Sequence, residues 1–176
     1  MDDDAARREA ASHLARALAA LDLGDDPELA RTPQLVADLL AEWRPRPVPP
    51  ASALRTTSHD LIVLRDLPFH SLCAHHLLPF FGTCTIAYRP DGAIAGLGWF
   101  PRVLQTLAQR PQVQERLAAQ LVDHLVQELG PRSVGVRLVA RQMCVELRGP
   151  RSGGQFEVLA LRGADDPALE RALSGP

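Results

Sequence analysis

Leucines spaced for a helix mark the start of the chain. Leu14, Leu18 and Leu21 fall on one face of an alanine-rich stretch from Ala5 to Leu23, and Gly24 follows as a stop. A second helix is predicted at Thr32-Pro33, an N-cap followed by proline at the first helical position, and it carries Leu35, Leu39, Leu40 and Trp43. Pro45, Pro47, Pro49 and Pro50 end it and predict an extended linker to about residue 57. The period then shortens. Leu61 to Leu64 and Thr83 to Tyr88 read as strands, and Pro90-Asp91-Gly92 as a turn. Trp99 to Gln109 reads as a short helix ending before Pro111. Val113, Leu117, Leu121, Leu125 and Leu129 form the i, i+4 stripe of a longer helix stopped by Gly130-Pro131. Val134 to Val139, Cys144 to Leu147 and Phe156 to Leu161 read as strands, with a loop over Gly149 to Gly154. The pattern therefore predicts an α+β chain: a helical segment and linker over 1–57, then a domain over 58–176 with the order strand, strand, helix, helix, strand, strand. The leucine stripes are core.

Composition changes this picture little. The chain has 176 residues, 46% hydrophobic and 23% charged, with a net charge of −2, which suits one globular domain with a sizeable core. That charge gives no reason to expect nucleic acid or an anionic membrane as partner. No apolar run approaches the ~20 residues of a membrane helix. The acidic start Met1-Asp2-Asp3-Asp4 lacks the basic and apolar segments of a signal peptide, so the cytoplasm is the expected compartment.

Three cysteines cannot complete a disulfide framework within the chain. Cys84 shares a strand face with Ile86 and Tyr88 and reads as a small core hydrophobe. The other two carry more chemistry. Cys73 and His76 lie three apart in Cys73-Ala74-His75-His76, a turn before a strand, and Cys144 follows about seventy residues later in Met143-Cys144. Two thiols and an imidazole are a soft set suited to Zn2+, and three protein ligands rather than four leave a coordination position open, as catalytic zinc sites do. His75 then stands beside the metal without binding it, and an imidazole is the side chain suited to proton transfer near neutral pH.

The stretches Cys73 to Gly82, Gln112 to Leu117 and Met143 to Gly149 together resemble the type I GTP cyclohydrolases. The resemblance runs from about Leu61 to Gly163. It implies the tunnelling fold, in which antiparallel sheets with two helices assemble into barrels and rings, so a homo-oligomer with active sites between subunits is expected. It implies zinc on Cys73, His76 and Cys144, and His75 as general acid/base. It places Glu115 on the guanine edge with Gln114 beside it. The implied reaction is hydrolysis of a purine at C8: the imidazole ring opens to a formamide, formate leaves, and rearrangement closes a pterin ring. A carboxylate accepting two parallel N–H donors is sound guanine chemistry on physical grounds as well.

Three departures from that family bear on the chemistry. Gln142 stands where the family has a second catalytic histidine, and an amide cannot shuttle protons near neutrality. Gly96-Leu97-Gly98-Trp99 replaces a Gly-Leu-Ser-Lys stretch, and Leu35 replaces an arginine at the phosphate end. Arg102 and Arg148 match the phosphate arginines that remain. Ala74, in place of a glutamate, is minor. Trp99 points to a stacking or apolar contact with substrate, or else to packing at a subunit interface. The alternatives to a GTP cyclohydrolase I-type hydrolase are a paralogue acting on another heterocycle or a less phosphorylated purine, and a degenerate protein that binds a purine or pterin and regulates a partner.

Overall fold

A computed structural model describes residues 3–174; Met1 and Asp2 of the acidic start lie outside the described residues. The chain forms two compact units, Met1–Arg44 and Pro45–Pro176.

The first unit holds α1 (Asp3–Ala20) and α2 (Thr32–Glu42). Leu23 N–H reaches back to the Leu18 carbonyl and Asp22 N–H to that of Ala19, with Asp22 left-handed at φ 56°. This is a helix-ending Schellman motif, and it places the stop at Asp22 and not at the expected Gly24. The N-cap of α2 is Arg31, so Thr32 is already helical and makes no cap; the proline stands at the helix start as predicted.

The second unit is built on a five-stranded sheet. Its elements in chain order are β1 (Ala53–Arg55), β2 (Ile62–Cys73), β3 (Pro79–Arg89), β4 (Ala93–Ala95), α3 (Trp99–Ala108), β5 (Pro111–Gln112), α4 (Gln114–Leu129), β6 (Ser133–Gln142), α5 (Met143–Glu146), β7 (Phe156–Gly163) and α6 (Pro167–Ser174). The sheet order is β5-β2-β3-β6-β7, antiparallel except for the short β2–β5 pair, and β1 pairs with β4 beside it. The main strands and helices thus follow the strand, strand, helix, helix, strand, strand order of the tunnelling fold. Leu104, Leu117, Leu121 and Leu125 from α3 and α4 pack fully buried on Cys84, Ile86, Val136 and Leu138 of the sheet, so one face of the sheet carries the core. The buried thiol of Cys84, pushed far up by desolvation, is a packing group, as its strand position suggested.

α6, absent from the predicted elements, is tied to the sheet by Asp166. Its carboxylate accepts from the Ala168 and Leu169 N–H groups at the helix start, from Ser133 Oγ, and from Arg89 through both oxygens at 2.7 and 3.3 Å. The Arg89 guanidinium is the largest of the influences holding this carboxyl well below the usual carboxylate range. A depressed carboxyl stabilises the fold at pH values above its unfolded pKa, and that contribution is lost as pH falls through the acid range. Asp166→Ala is expected to cost about 2–3 kcal/mol at neutral pH, combining a lost cap with a lost charged hydrogen bond, and the deficit should shrink on acidification. Urea midpoints of the two proteins at neutral and acid pH check this.

Candidate metal centre and pocket

The β2–β3 connection is wound around one carbonyl. Both His76 N–H and Leu77 N–H point at the Cys73 C=O, at 3.3 and 2.8 Å, while Cys73 N–H donates to Leu78 C=O. Leu77 takes the left-handed conformation this needs, at φ 54°. So tight a turn swings both imidazoles back over the cysteine: Nδ1 of His75 lies 3.9 Å and Nδ1 of His76 3.8 Å from Cys73 Sγ.

Two register relations bring the remaining chemistry here. The parallel pair Cys73↔Gln112 sets the start of α4 beside the turn, with Ala74 N–H bonded to the Gln112 carbonyl. The antiparallel pair Phe80↔Gln142 ends β6 opposite the turn, so the chain leaves the sheet there and Cys144 follows at once. Residues 144–147, expected as a strand, are instead centred on the one-turn helix α5. Arg141 clasps Glu146 of that turn with a forked pair, Nε at 3.0 Å, and no sheet partner remains past Gln142.

Cys73 Sγ, a His76 ring nitrogen and Cys144 Sγ all lie within 4.8 Å of one another, the one such group of His, Cys and acidic side chains among the described residues. Bonds of ~2.3 Å to sulfur and ~2.0–2.1 Å to nitrogen about a tetrahedral ion put ligand atoms roughly 3.5–3.8 Å apart. The Cys73–His76 separation fits that spacing. The thiols fit it electrostatically. Burial first, and then the neighbouring Cys73, push the Cys144 thiol above its ordinary pKa. Two thiolates this close repel, and a divalent cation between them reverses the penalty. The residues present therefore suit a metal ion.

The group borders a pocket of about 310 Å³. Cys73, His75, Gln114, Glu115, Gln142 and Cys144 line it, with Glu115 in the first turn of α4, where the helix dipole favours a carboxylate. Arg148 joins the edge of the site, its Nη1 2.6 Å from His76 Nε2. Gln114 is only 4% exposed and its amide is engaged internally, so it backs the pocket wall more than it offers itself to a ligand.

Trp99 and Arg102 are not brought to this pocket. They line a separate depression with Gly96, Leu97 and Gly98. Trp99 is 3% exposed, its indole N–H donates to the Pro49 carbonyl, and its ring stacks on His124. Within this chain the indole is packed as core. Phe156 and Glu157 line the pocket from β7 without having been expected there, and Glu157 is held by a forked Arg137. Only the alternation of that strand hinted at them.

A sequence model of the family described as GTP cyclohydrolase I matches residues 10–169. The GTP cyclohydrolase 1 of Leifsonia xyli subsp. xyli is 44% identical over 186 aligned positions, which cover 97% of this chain and 93% of that protein. The GTP cyclohydrolase 1 of Aquifex aeolicus is 40% identical over 147 positions, 80% of each chain. Among solved structures, an archaeosine synthase QueF-like protein in its apo form overlays on 60% of this chain and 96% of its own at a TM-score of 0.47 and 21% identity, too slight a likeness to bear on the chemistry. With the matched model spanning most of its length, and relatives this similar covering nearly all of it, the chain belongs to the GTP cyclohydrolase I family.

Proposed function

We propose that the pocket opens the imidazole ring of GTP, or of a related purine, by hydrolysis at C8. The chain is an enzyme of GTP cyclohydrolase I type, and the observation that carries the reading is the convergence of Cys73, His76 and Cys144 at the rim of a pocket that also holds Glu115. Those three residues would hold zinc, which when bound supplies Lewis-acid activation of water at neutral pH. The rest falls to the chain. Glu115 accepts the paired N–H donors of the guanine edge and so orients C8 toward the metal-ligand turn. His75, one residue from the ligand His76, moves protons to the ring nitrogens as water adds and the C8–N9 bond breaks. Arg148 and Arg102 are the cations available for phosphate. The segment 58–176 is the catalytic domain. The separation of Arg102 from the pocket within one chain supports a homo-oligomeric ring in which neighbouring copies complete each site. Cytoplasmic residence follows from the substrate. Among the described residues no helix is long and apolar enough to cross a membrane.

The departures set the substrate test. Leu35 and Trp99 replace two cations, and each lost charge-assisted contact is worth ~1.5–3 kcal/mol. Ring opening should therefore be detectable with zinc-loaded protein, while kcat/KM and affinity do not rise steeply along the series guanosine, GMP, GTP at fixed salt. Binding of GTP a hundredfold or more tighter than GMP would mean that the phosphate clamp is whole. No ring opening with any of the three would overturn the reading.

A further inference from the structure

Behind the pocket lies a pair of amides whose orientation is not free. Gln114 Nε2 donates to the Leu138 carbonyl at 3.0 Å and to the Phe156 carbonyl at 2.9 Å, so both its hydrogens are engaged by main chain from β6 and β7. An oxygen in that place would face two carbonyl oxygens, so the polarity of this buried amide is fixed. Its Oε1 points the other way and accepts from Gln142 Nε2 at 2.8 Å. That contact in turn fixes the second amide. With Nε2 committed to Gln114, Gln142 Oε1 is the end that faces Cys144, whose Sγ is 4.0 Å away.

We infer that Gln114 is a positioning residue: through a relay from two strand carbonyls it sets the Gln142 amide so that the pocket meets a carbonyl oxygen, a fixed hydrogen-bond acceptor that selects ligands presenting an N–H or O–H at that point. The inference deepens the proposed function and rests on it for the identity of the ligand, but the relay itself is a property of the chain. Nothing in the relay titrates near neutrality, so it holds its polarity across the working range. A site built around a fixed acceptor discriminates against a ligand acceptor in the same place, because both would be left unpaired.

Two measurements test it. The first is hydrogen exchange of side-chain amide protons in zinc-loaded, selectively 15N-glutamine-labelled protein, with signals assigned by substitution. Gln114 should exchange about a hundredfold or more slowly than the exposed Gln155. Equal rates would overturn the relay, whether or not the protein proves to open purines. The second is Gln114→Met, which keeps the side-chain length but cannot accept from Gln142 Nε2. The side-chain amide of Gln142 should then exchange about tenfold or more faster than in the unmodified protein, at constant metal content. An unchanged Gln142 rate would contradict the relay, since the contact from Gln114 is what holds that amide.

Discussion

Replacing Cys144 by alanine is expected to remove bound metal and hydrolysis together. The site offers three side chains, and the loss of one leaves two ligands. Even loss of a group that only supports a ligand typically costs 10–100-fold in metal affinity, and loss of a ligand should exceed about a hundredfold. Cys73→Ala and His76→Ala should behave alike, because the three donor atoms are mutually within 4.8 Å and no fourth His, Cys or acidic side chain joins them among the described residues. The pH dependence has a definite sign. Both thiols must lose protons to bind, and burial and the neighbouring sulfur hold the Cys144 proton on, so metal retention should weaken as pH falls and strengthen as it rises. Metal analysis after gel filtration at several pH values reads both effects. Full-strength metal binding by Cys144→Ala would refute the site as drawn.

The second large effect concerns how far the reaction runs. Among the described residues His75 is the one imidazole lining the pocket, and Gln142, whose amide is held by Gln114, lines it as well. An amide can accept a hydrogen bond but cannot carry a proton between steps, and a general acid/base group contributes roughly 10²–10⁴-fold to the step it serves. Opening of the ring should therefore outpace the second hydrolysis, so that the formamide accumulates before formate appears. Gln142→His should raise formate release by a factor in that range. Pterin formation keeping pace with ring opening in the unmodified chain would show that another group carries the proton.

Much of the site was legible because its chemistry is local. The Cys-Ala-His-His turn, the α4 start at Gln114 and the lone Met-Cys are short motifs whose residue types limit what they can do. Strong periodicity likewise set α3 and α4 to within a residue or two. What failed had non-local causes. Residues 61–64 read as a short strand because the apolar run ends at Arg65-Asp66, yet β2 continues to Cys73: Asp66 takes φ 55° and a bulge between Leu64 and Leu67 absorbs the break. Cys144 to Leu147 carries a strand-like alternation, but the partner strand has ended, and Leu147 lies 63% exposed. β1 and β4 are three residues each and gain their order from one another. α6 is the exception, an element missed although its signal is local: Asp166-Pro167 is an N-cap followed by proline. The burial of Trp99 depends on Pro49 and His124, fifty and twenty-five positions away, which no window along the sequence brings together.

The most direct test of the central claim is metal-dependent loss of the purine chromophore. Protein stripped of metal, then reloaded with one equivalent of zinc per chain, is offered guanosine, GMP and GTP in turn while ultraviolet absorbance and formate are followed together. The purine spectrum should decay only after zinc is restored, Cys144→Ala should never regain the decay, and formate should lag behind it. A purine spectrum that stays unchanged with zinc bound stoichiometrically, or that decays equally without zinc, would contradict the claim.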